Sequence, residues 1–347
     1  MCRNLIRISL ILTTACFPLL ANSGCDSQPT GTTQAQASYL FCFWNVENFF
    51  DDQNDHHENK ADKEYDTWFS RDPQALHLKL AHLCDALLKM NDGKGPDILA
   101  IAEVESVRAA ELLQEAFNQR VPDPALRYTS VLMKEISAGR HIAPAILTRL
   151  PVDKSRTHLL GKHLRILEGH IEVNGHDLVV LASHWTSRLT DKNGDRRDKY
   201  ADQLHGAFYG MYKNNPNVDV LICGDFNDPP EAPSVTEHLR ATGDQRAVVS
   251  SGAQPLLLDL MANKDAGAGF GTIYYQSKWS IFDHIVVSPG MLDHAGWSCD
   301  PDSVYTVNTL TRPGDKQHRP WRFGGEHDKQ AHGYSDHFPV TARLQVN

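Results

Sequence analysis

The sequence predicts a single domain of short buried strands punctuated by a few amphipathic helices, spanning residues 39–347. Three observations carry that expectation. Short apolar runs recur from one end of the region to the other, and runs of that kind read as buried strands. Leucines at the three- and four-residue spacing of a helix face are confined to a few segments, such as Leu76, Leu80, Leu83 and Leu87. Neither a repeat of fixed period nor a linker divides the region.

Ahead of this domain, residues 1–24 have the layout of an export signal. Arg3 and Arg7 precede an apolar run over residues 8–21 that is too short to span a bilayer comfortably. Ser23, Gly24 and Cys25 resemble the end of a lipoprotein cleavage box, although Asn22 is a poor match, so lipid anchoring at Cys25 and simple secretion are both open. The expected location is periplasmic or extracellular. Residues 25–38, rich in Thr, Gln, Ala and Ser, read as a disordered tether.

Strand 39–46 opens the domain and ends among Asn45, Glu47 and Asn48; the acidic stretch 51–66, with His56 and His57, reads as a solvated loop rather than a metal site. A helix over 73–90 follows, with Asp72 as its cap and Pro73 in its first turn. Strand 97–102 leads to Glu103 and Glu105, and a helix covers 107–119. Strands at 128–133, 142–147, 164–173 and 178–183 come next, the last two joined at Asn174-Gly175, a strong hairpin signal. His184 and Trp185 close that hairpin, and a helix is expected over 199–212.

Strand 218–223 then runs into Gly224-Asp225-Phe226-Asn227. If the extended backbone persists, Asp225 and Asn227 project to one side as a polar rim; the alternative is an Asx-turn. A helix at 231–239, a strand at 281–288 containing Asp283, a long polar segment at 298–333, and a final strand at 338–346 just after Asp336 and His337 complete the chain.

Composition narrows the function. With 41% hydrophobic and 22% charged residues the chain is an ordinary globular protein, and its formal charge of −9 argues against holding nucleic acid by bulk electrostatics. A nuclease remains compatible, because a bound cation and a few placed arginines act locally. Loss of residues 1–24 removes two arginines and no acid, leaving −11. Beyond the signal, Cys42, Cys84, Cys223 and Cys299 are far apart with no C-x-x-C pair, so buried thiols are expected, with a disulfide left open.

The strand ends collect acids, amides and imidazoles: Trp44-Asn45-Val46-Glu47-Asn48, Glu103-Val104-Glu105, Ser183-His184-Trp185, Gly224-Asp225-Phe226-Asn227, Phe282-Asp283-His284 and Ser335-Asp336-His337. In this order they resemble the motifs of the endonuclease/exonuclease/phosphatase superfamily. That resemblance implies an α+β, deoxyribonuclease I-like fold: a four-layer α/β/β/α sandwich of two packed, mostly antiparallel sheets flanked by helices. It also implies a divalent-metal-dependent phosphodiesterase. Glu103, with Asn45 and Asp336, is expected to hold Mg²⁺, with Mn²⁺ or Ca²⁺ as substitutes, since oxygen donors select hard cations. His337 is the expected general base, oriented by Asp283. Asp225 would position the water or share the base role, Asn227 would bind the phosphate, and His184 would contact it or act as general acid. Arg140 and Arg188 are candidate phosphate ligands, each with a plain loop charge as the alternative.

The substrate stays open at this level. A nuclease is the leading expectation, working as a monomer on a phosphoester of nucleic acid, with membrane contact only through a lipid anchor. A phosphatase or phospholipase-type diesterase acting on phosphoinositide or sphingomyelin is the alternative, and a catalytically silent binding protein is the reading from another class. Residues 312–322, with Trp321 among cations, either cap the site or form a solvated loop.

Overall fold

The structure is a computed structural model and describes residues 37–137, 139–161, 163–328 and 332–347. Its strands in chain order are β1 (Ala37–Phe49), β2 (Ile98–Val104), β3 (Ser130–Met133), β4 (Ala143–Thr148), β5 (His158–Leu159), β6 (Ile166–Val173), β7 (His176–His184), β8 (Asp219–Asp225), β9 (Ala241–Thr242), β10 (Leu257–Asp259), β11 (Ile273–Tyr275), β12 (Lys278–Ser280), β13 (Asp283–Val287), β14 (Trp297–Thr306) and β15 (Val340–Val346). The helices are α1 (Lys60–Arg71), α2 (Pro73–Leu87), α3 (Val107–Arg120), α4 (Asp195–Asn214) and α5 (Gln245–Val249). The export signal, most of the tether and Cys25 lie outside the described residues, and β1 begins at Ala37, inside the stretch expected to be tether.

One sheet is ordered β14-β15-β1-β2-β4-β3 and the other β5-β6-β7-β8-β13-β10-β9. Pairing is antiparallel except at β1/β2, β7/β8 and β9/β10. Alternate residues of a strand go to opposite faces, and here both faces are covered. Leu40, Cys42, Trp44 and Val46 of β1 pack with Leu76, Leu83, Leu113 and Phe117 of α2 and α3. Phe41 and Phe43 turn the other way and meet Val180, Leu221 and Cys223 from the second sheet. On the far side of that sheet Val179, Leu181 and Ile222 pack on Tyr200, Leu204 and Phe208 of α4. The result is the expected four-layer sandwich, and it explains why these strands read as unbroken apolar runs.

Local signals account for most boundaries. Asp72 accepts hydrogen bonds from Gln74 N and Ala75 N at the start of α2, and Ser106 caps α3 through Ala109 N. Asn174 (φ 54°) and Gly175 (φ 82°) make the β6/β7 turn. Other expectations are corrected. Residues 60–71 are helical, and Asp62 and Asp66 are fully buried rather than solvated. Tyr65, Trp68 and Phe69 drive that helix against the core. The polar stretch after residue 297 begins with β14, and the helix expected at 231–239 is only a π-helical turn at Ser234–His238. Cys42, Cys84, Cys223 and Cys299 are buried and unpaired. Burial pushes the Cys84 and Cys299 thiols up to about 12. No helix among the described residues is long and apolar enough to cross a membrane.

Asp219, at the start of β8, accepts a hydrogen bond from Trp297 N (2.9 Å), while its Oδ1 is buried without a partner. Burial raises its carboxyl from 3.8 to about 7, with Asp293 and Asp177 adding to the rise and the Trp297 N–H opposing it. An acid whose folded pKa lies above its unfolded value holds its proton more tightly when folded. Its contribution to stability is therefore lost as pH rises from the unfolded value through the folded one. We predict that Asp219→Asn stabilises the protein by about 1–2 kcal/mol near pH ~8 and by less near pH ~5. Thermal melts at the two pH values check this, and an equal shift at both would show that ionisation is not the cause.

Candidate active site

The site begins with two backbone irregularities side by side. β1 loses register with β2 between Asn45 and Phe49, and β2 loses register with β4 between Ile101 and Val104. Within these bulges Glu47 (φ 53°), Asn48 (φ 49°) and Glu103 (φ 65°) adopt left-handed backbone, costing on the order of 1 kcal/mol or more each. The surroundings hold them there. Lys79 of α2, fully buried, donates from Nζ to Val46 O (2.5 Å), Glu47 O (3.0 Å) and Tyr334 O (3.1 Å). The Glu47 carboxylate in turn accepts from Phe323 N (2.6 Å), Gly324 N (3.1 Å) and Arg322 Nε (3.1 Å). Glu103 Oε2 accepts from Asn48 N (2.8 Å).

The second sheet supplies a row. His184 ends β7, Asp225 ends β8 and Asp283 begins β13; the ladder pairs His184 with Asp225 and Asp225 with Asp283. Gly224 permits this spacing, because a Cβ there would lie 2.3 Å from Ser183 O. His337 arrives just before β15. Its Nδ1 meets Asp283 Oδ2 at 2.7 Å, and its Nε2 lies 3.7 Å from Asp225 Oδ2. His184 Nε2 is 3.8 Å from the same Asp225 oxygen and 3.7 Å from Glu103 Oε1. Asn45 Nδ2 bridges the two sheets, donating to Asp225 Oδ2 (3.0 Å) and Glu103 Oε1 (3.4 Å). Its Oδ1 accepts from Glu47 N (3.1 Å), so Asn45 orients the two carboxylates, and offering its oxygen to a cation requires turning the amide over.

Of the two readings of Gly224-Asp225-Phe226-Asn227, the Asx-turn holds and the extended backbone does not persist past Asp225. Asp225 Oδ1 accepts from Asn227 N (2.9 Å), an Asx-turn, and Asn227 (φ 53°) leaves the strand conformation. Phe226 anchors the turn, stacked between Trp185 and His284 at 4.2 and 4.5 Å. Asn227 Nδ2 donates to Trp185 O (3.2 Å).

Burial dominates the electrostatics. It raises Asp225 to about 7, opposed by His337 and reinforced by Asp283. It opposes protonation of His337, but Asp283 and Asp225 outweigh it and hold the imidazole charged well above its usual 6.5. His184 is pushed down to about 3 by burial, Arg165 and Arg140, so it is neutral. Asp225 thus stands between one charged and one neutral imidazole. For Glu103, burial raises the carboxyl but His184, Arg140 and the Asn48 amide bring it down to about 2. Since His184 carries no charge at neutral pH, Arg140, the Asn48 amide and the charged His337 are the persistent causes.

Not every expected residue joins this cluster. Arg140 donates to Asp62 Oδ1 (2.7 Å) and Asn48 Oδ1 (2.6 Å), close enough to act on Glu103. Arg188 donates to Asp228 Oδ1 (2.6 Å) and lies over the Phe282 ring, with no bond to Glu103, Asp225 or His337 among the described residues. Asp336 is half-buried and raised to about 7, first by burial and then by Glu47 and Glu103. It lines a cleft of about 390 Å³ with Tyr274, Tyr275, Trp321 and Arg322. The chemistry fits a hard cation: Glu103 is held ionised, and the like charges of Glu47, Glu103 and Asp336 are relieved by a positive ion among them. Asp225, Asp283 and His337 also bring ligand atoms within 4.8 Å of one another, as do Asp55, His57 and Glu105 in the acidic segment. In that second group His57 Nε2 already meets Glu105 Oε1 at 2.6 Å. Lys79 was the functional residue missed from sequence, although a lysine on the apolar stripe of Leu76, Leu80 and Leu83 is a signal in itself.

The model of the Endonuclease/Exonuclease/phosphatase family matches residues 40–346. No curated protein matches the sequence significantly. Among solved structures, truncated TDP2 of Caenorhabditis elegans is similar at TM-score 0.53 and 15% identity, covering 89% of this chain and 98% of that one. An endonuclease/exonuclease/phosphatase family protein of Bacteroides thetaiotaomicron gives 0.52 and 16%, covering 90% and 99%. A mannosyl-6-phosphatase of the same organism gives 0.51 and 16%, covering 88% and 99%. At these identities the likeness speaks for the fold.

Because the fully buried Lys79 donates to three backbone carbonyls, we predict that Lys79→Met lowers stability by about 2–4 kcal/mol in urea unfolding. The backbone of Val46 and Glu47 loses its tie in the same variant. Unchanged stability would show that the ammonium is not what holds the bulges.

Proposed function

Because the chain belongs to the endonuclease/exonuclease/phosphatase family of metal-dependent phosphoester hydrolases, we propose that it is an exported phosphodiesterase acting on nucleic acid. The observation that carries the chemistry is the convergence of Asn45, Glu103, His184, Asp283 and His337 on Asp225 from both sheets. Glu103, with Asp336 and a turned Asn45, would hold the ion, which we take to be Mg²⁺. When bound, such an ion supplies polarisation of a phosphoryl oxygen and neutralises charge on the leaving oxygen.

The chain's own groups do the rest. Asp283 fixes His337 through Nδ1 and leaves Nε2 facing Asp225. Between them, Asp225 and His337 orient the attacking water: the Asp225 carboxylate takes its proton, and the charged His337 beside it supports that carboxylate. Asn227, at the rim, is placed to donate to a phosphate oxygen once it leaves Trp185 O. His184, neutral and beside both carboxylates, is suited to contact the phosphate or protonate the leaving oxygen.

The nucleic-acid reading rests on the cleft beside Asp336. Tyr274, Tyr275 and Trp321 offer faces for a base, with Arg322 alongside and Arg319 already over the Tyr274 ring at 5.6 Å. Export rests on the Arg3 and Arg7 start and the apolar run that follows. Mass spectrometry of the mature N-terminus checks it, with a lipid-modified Cys25 and an unmodified secreted chain as the two outcomes compatible with export.

Assays on single-stranded and duplex oligonucleotides, bis-nitrophenyl phosphate, sphingomyelin and phosphoinositides test the activity. Turnover of oligonucleotides with Mg²⁺ that vanishes in EDTA and returns with metal is expected; preference for a lipid or a monoester would replace the substrate assignment. Glu103→Gln should lower kcat about 10²-fold or more, and Asp283→Asn about 10²- to 10⁴-fold. Wild-type turnover in Asp283→Asn would remove the His337 relay from the reaction.

A further inference from the structure

A second cavity opens from the same site on its other flank. It measures about 600 Å³ and is lined by Glu103 and His184 at its inner end and by Arg140, Arg165, Arg196 and Lys199 along its walls. Among the described residues Glu103 is the one carboxylate in its lining. Elsewhere in this acidic chain arginines are commonly paired: Arg71 with Glu326, Arg108 with Asp52, Arg188 with Asp228. The side chains of Arg165, Arg196 and Lys199 make no ion pair or hydrogen bond among the described residues. Unpaired like charges gathered in a concave wall repel one another, and an anion brought among them removes that cost.

Geometry sets the order of the charges. Arg140 acts on Glu103 and Arg165 acts on His184, so both stand beside the reacting groups. Arg196 and Lys199 lie near the start of α4, three residues apart and so on one face; the helix end itself is capped by Asp191, whose Oδ2 accepts from Arg196 N and Arg197 N, so the side chains supply the charge. Thr186, Ser187 and Thr190 contribute hydroxyls to the same wall. Tyr200, the aromatic residue in the lining, is buried and its hydroxyl accepts from Arg165 N, so this wall offers charge and hydroxyls rather than a stacking surface. That combination reads a sugar-phosphate backbone, whereas the cleft at Trp321 reads bases.

We propose that this cavity is a subsite for the phosphate next to the scissile one in an oligonucleotide, with Arg196 and Lys199 as its outer contacts. The inference rests on the nucleic-acid reading of the active site. It makes the enzyme sensitive to substrate length: a diester with a single phosphate leaves the outer cations unused, and a strand engages them.

The test compares wild type with Arg196→Ala/Lys199→Ala on bis-nitrophenyl phosphate and on single-stranded oligonucleotides of increasing length, across a salt series. The double variant is expected to keep kcat/KM for the small diester within about twofold while KM for oligonucleotides rises about tenfold with kcat unchanged. The slope of log K against log salt should fall by about 1.4, ~0.7 for each cation removed. Arg196→Lys/Lys199→Arg should restore both. An oligonucleotide KM and salt slope unchanged in the double variant, or an equal loss on both substrates, overturns the subsite while leaving the nuclease intact. A wild-type protein that hydrolyses the small diester but no oligonucleotide overturns the nucleic-acid reading and the subsite with it.

Discussion

One buried ammonium holds the centre of this protein in shape. Lys79 sits without exposure under the end of β1 and ties Val46, Glu47 and Tyr334 by their carbonyls. A charge in that position is costly, and burial lowers it to about 8 while Glu47, Asp336 and Glu103 support its charged form. What it secures is a pair of left-handed residues that would otherwise relax toward ordinary strand geometry. Because the carboxylate of Glu47 then gathers Arg322, Phe323 and Gly324, the loop carrying the aromatic cleft is fastened to the same point. The strain in the bulges, the position of Glu103 and the wall of the cleft are therefore one mechanical unit.

Charge is divided rather than balanced around Asp225. Its neighbours differ in protonation because their surroundings differ: His337 is clamped by Asp283, and His184 is surrounded by Arg165 and Arg140. Two imidazoles at nearly the same distance from one carboxylate thus carry different chemistry. Asp283, expected to orient His337 and favour its charged form, lies 2.7 Å from its Nδ1, and Asp225 adds to the same effect.

The layers were legible where both sides of a strand are covered. Residues 220–223 and 39–46 could hardly be anything else, and the turn at Asn174-Gly175 was specified by local chemistry. Glu103, Asp225, Asp283 and His337 were visible because they break apolar runs at their ends. Other features depend on partners far along the chain. The acids of α1 looked solvated until Arg140, 78 residues away, was seen to pair with Asp62. β14 hides in a polar stretch because its outward positions are exposed, and short strands such as β9 and β10 carry too few residues to show a period. The turn of Asn45's amide and the pairing of Arg188 with Asp228 follow from three-dimensional neighbours alone.

The row His184–Asp225–Asp283 has a consequence for how such an enzyme can change. These groups are spaced by the hydrogen-bond ladder of β7, β8 and β13, which sets neighbouring strands about 4.8 Å apart whatever the loops do. The two flanking cavities, by contrast, are walled largely by loop residues, around 163–165 and 312–322. Reaction geometry and substrate choice are therefore inherited on separate parts of the chain. Insertions or replacements in those loops can redirect the enzyme to a differently shaped phosphoester while the spacing of the reacting groups stays fixed by backbone pairing.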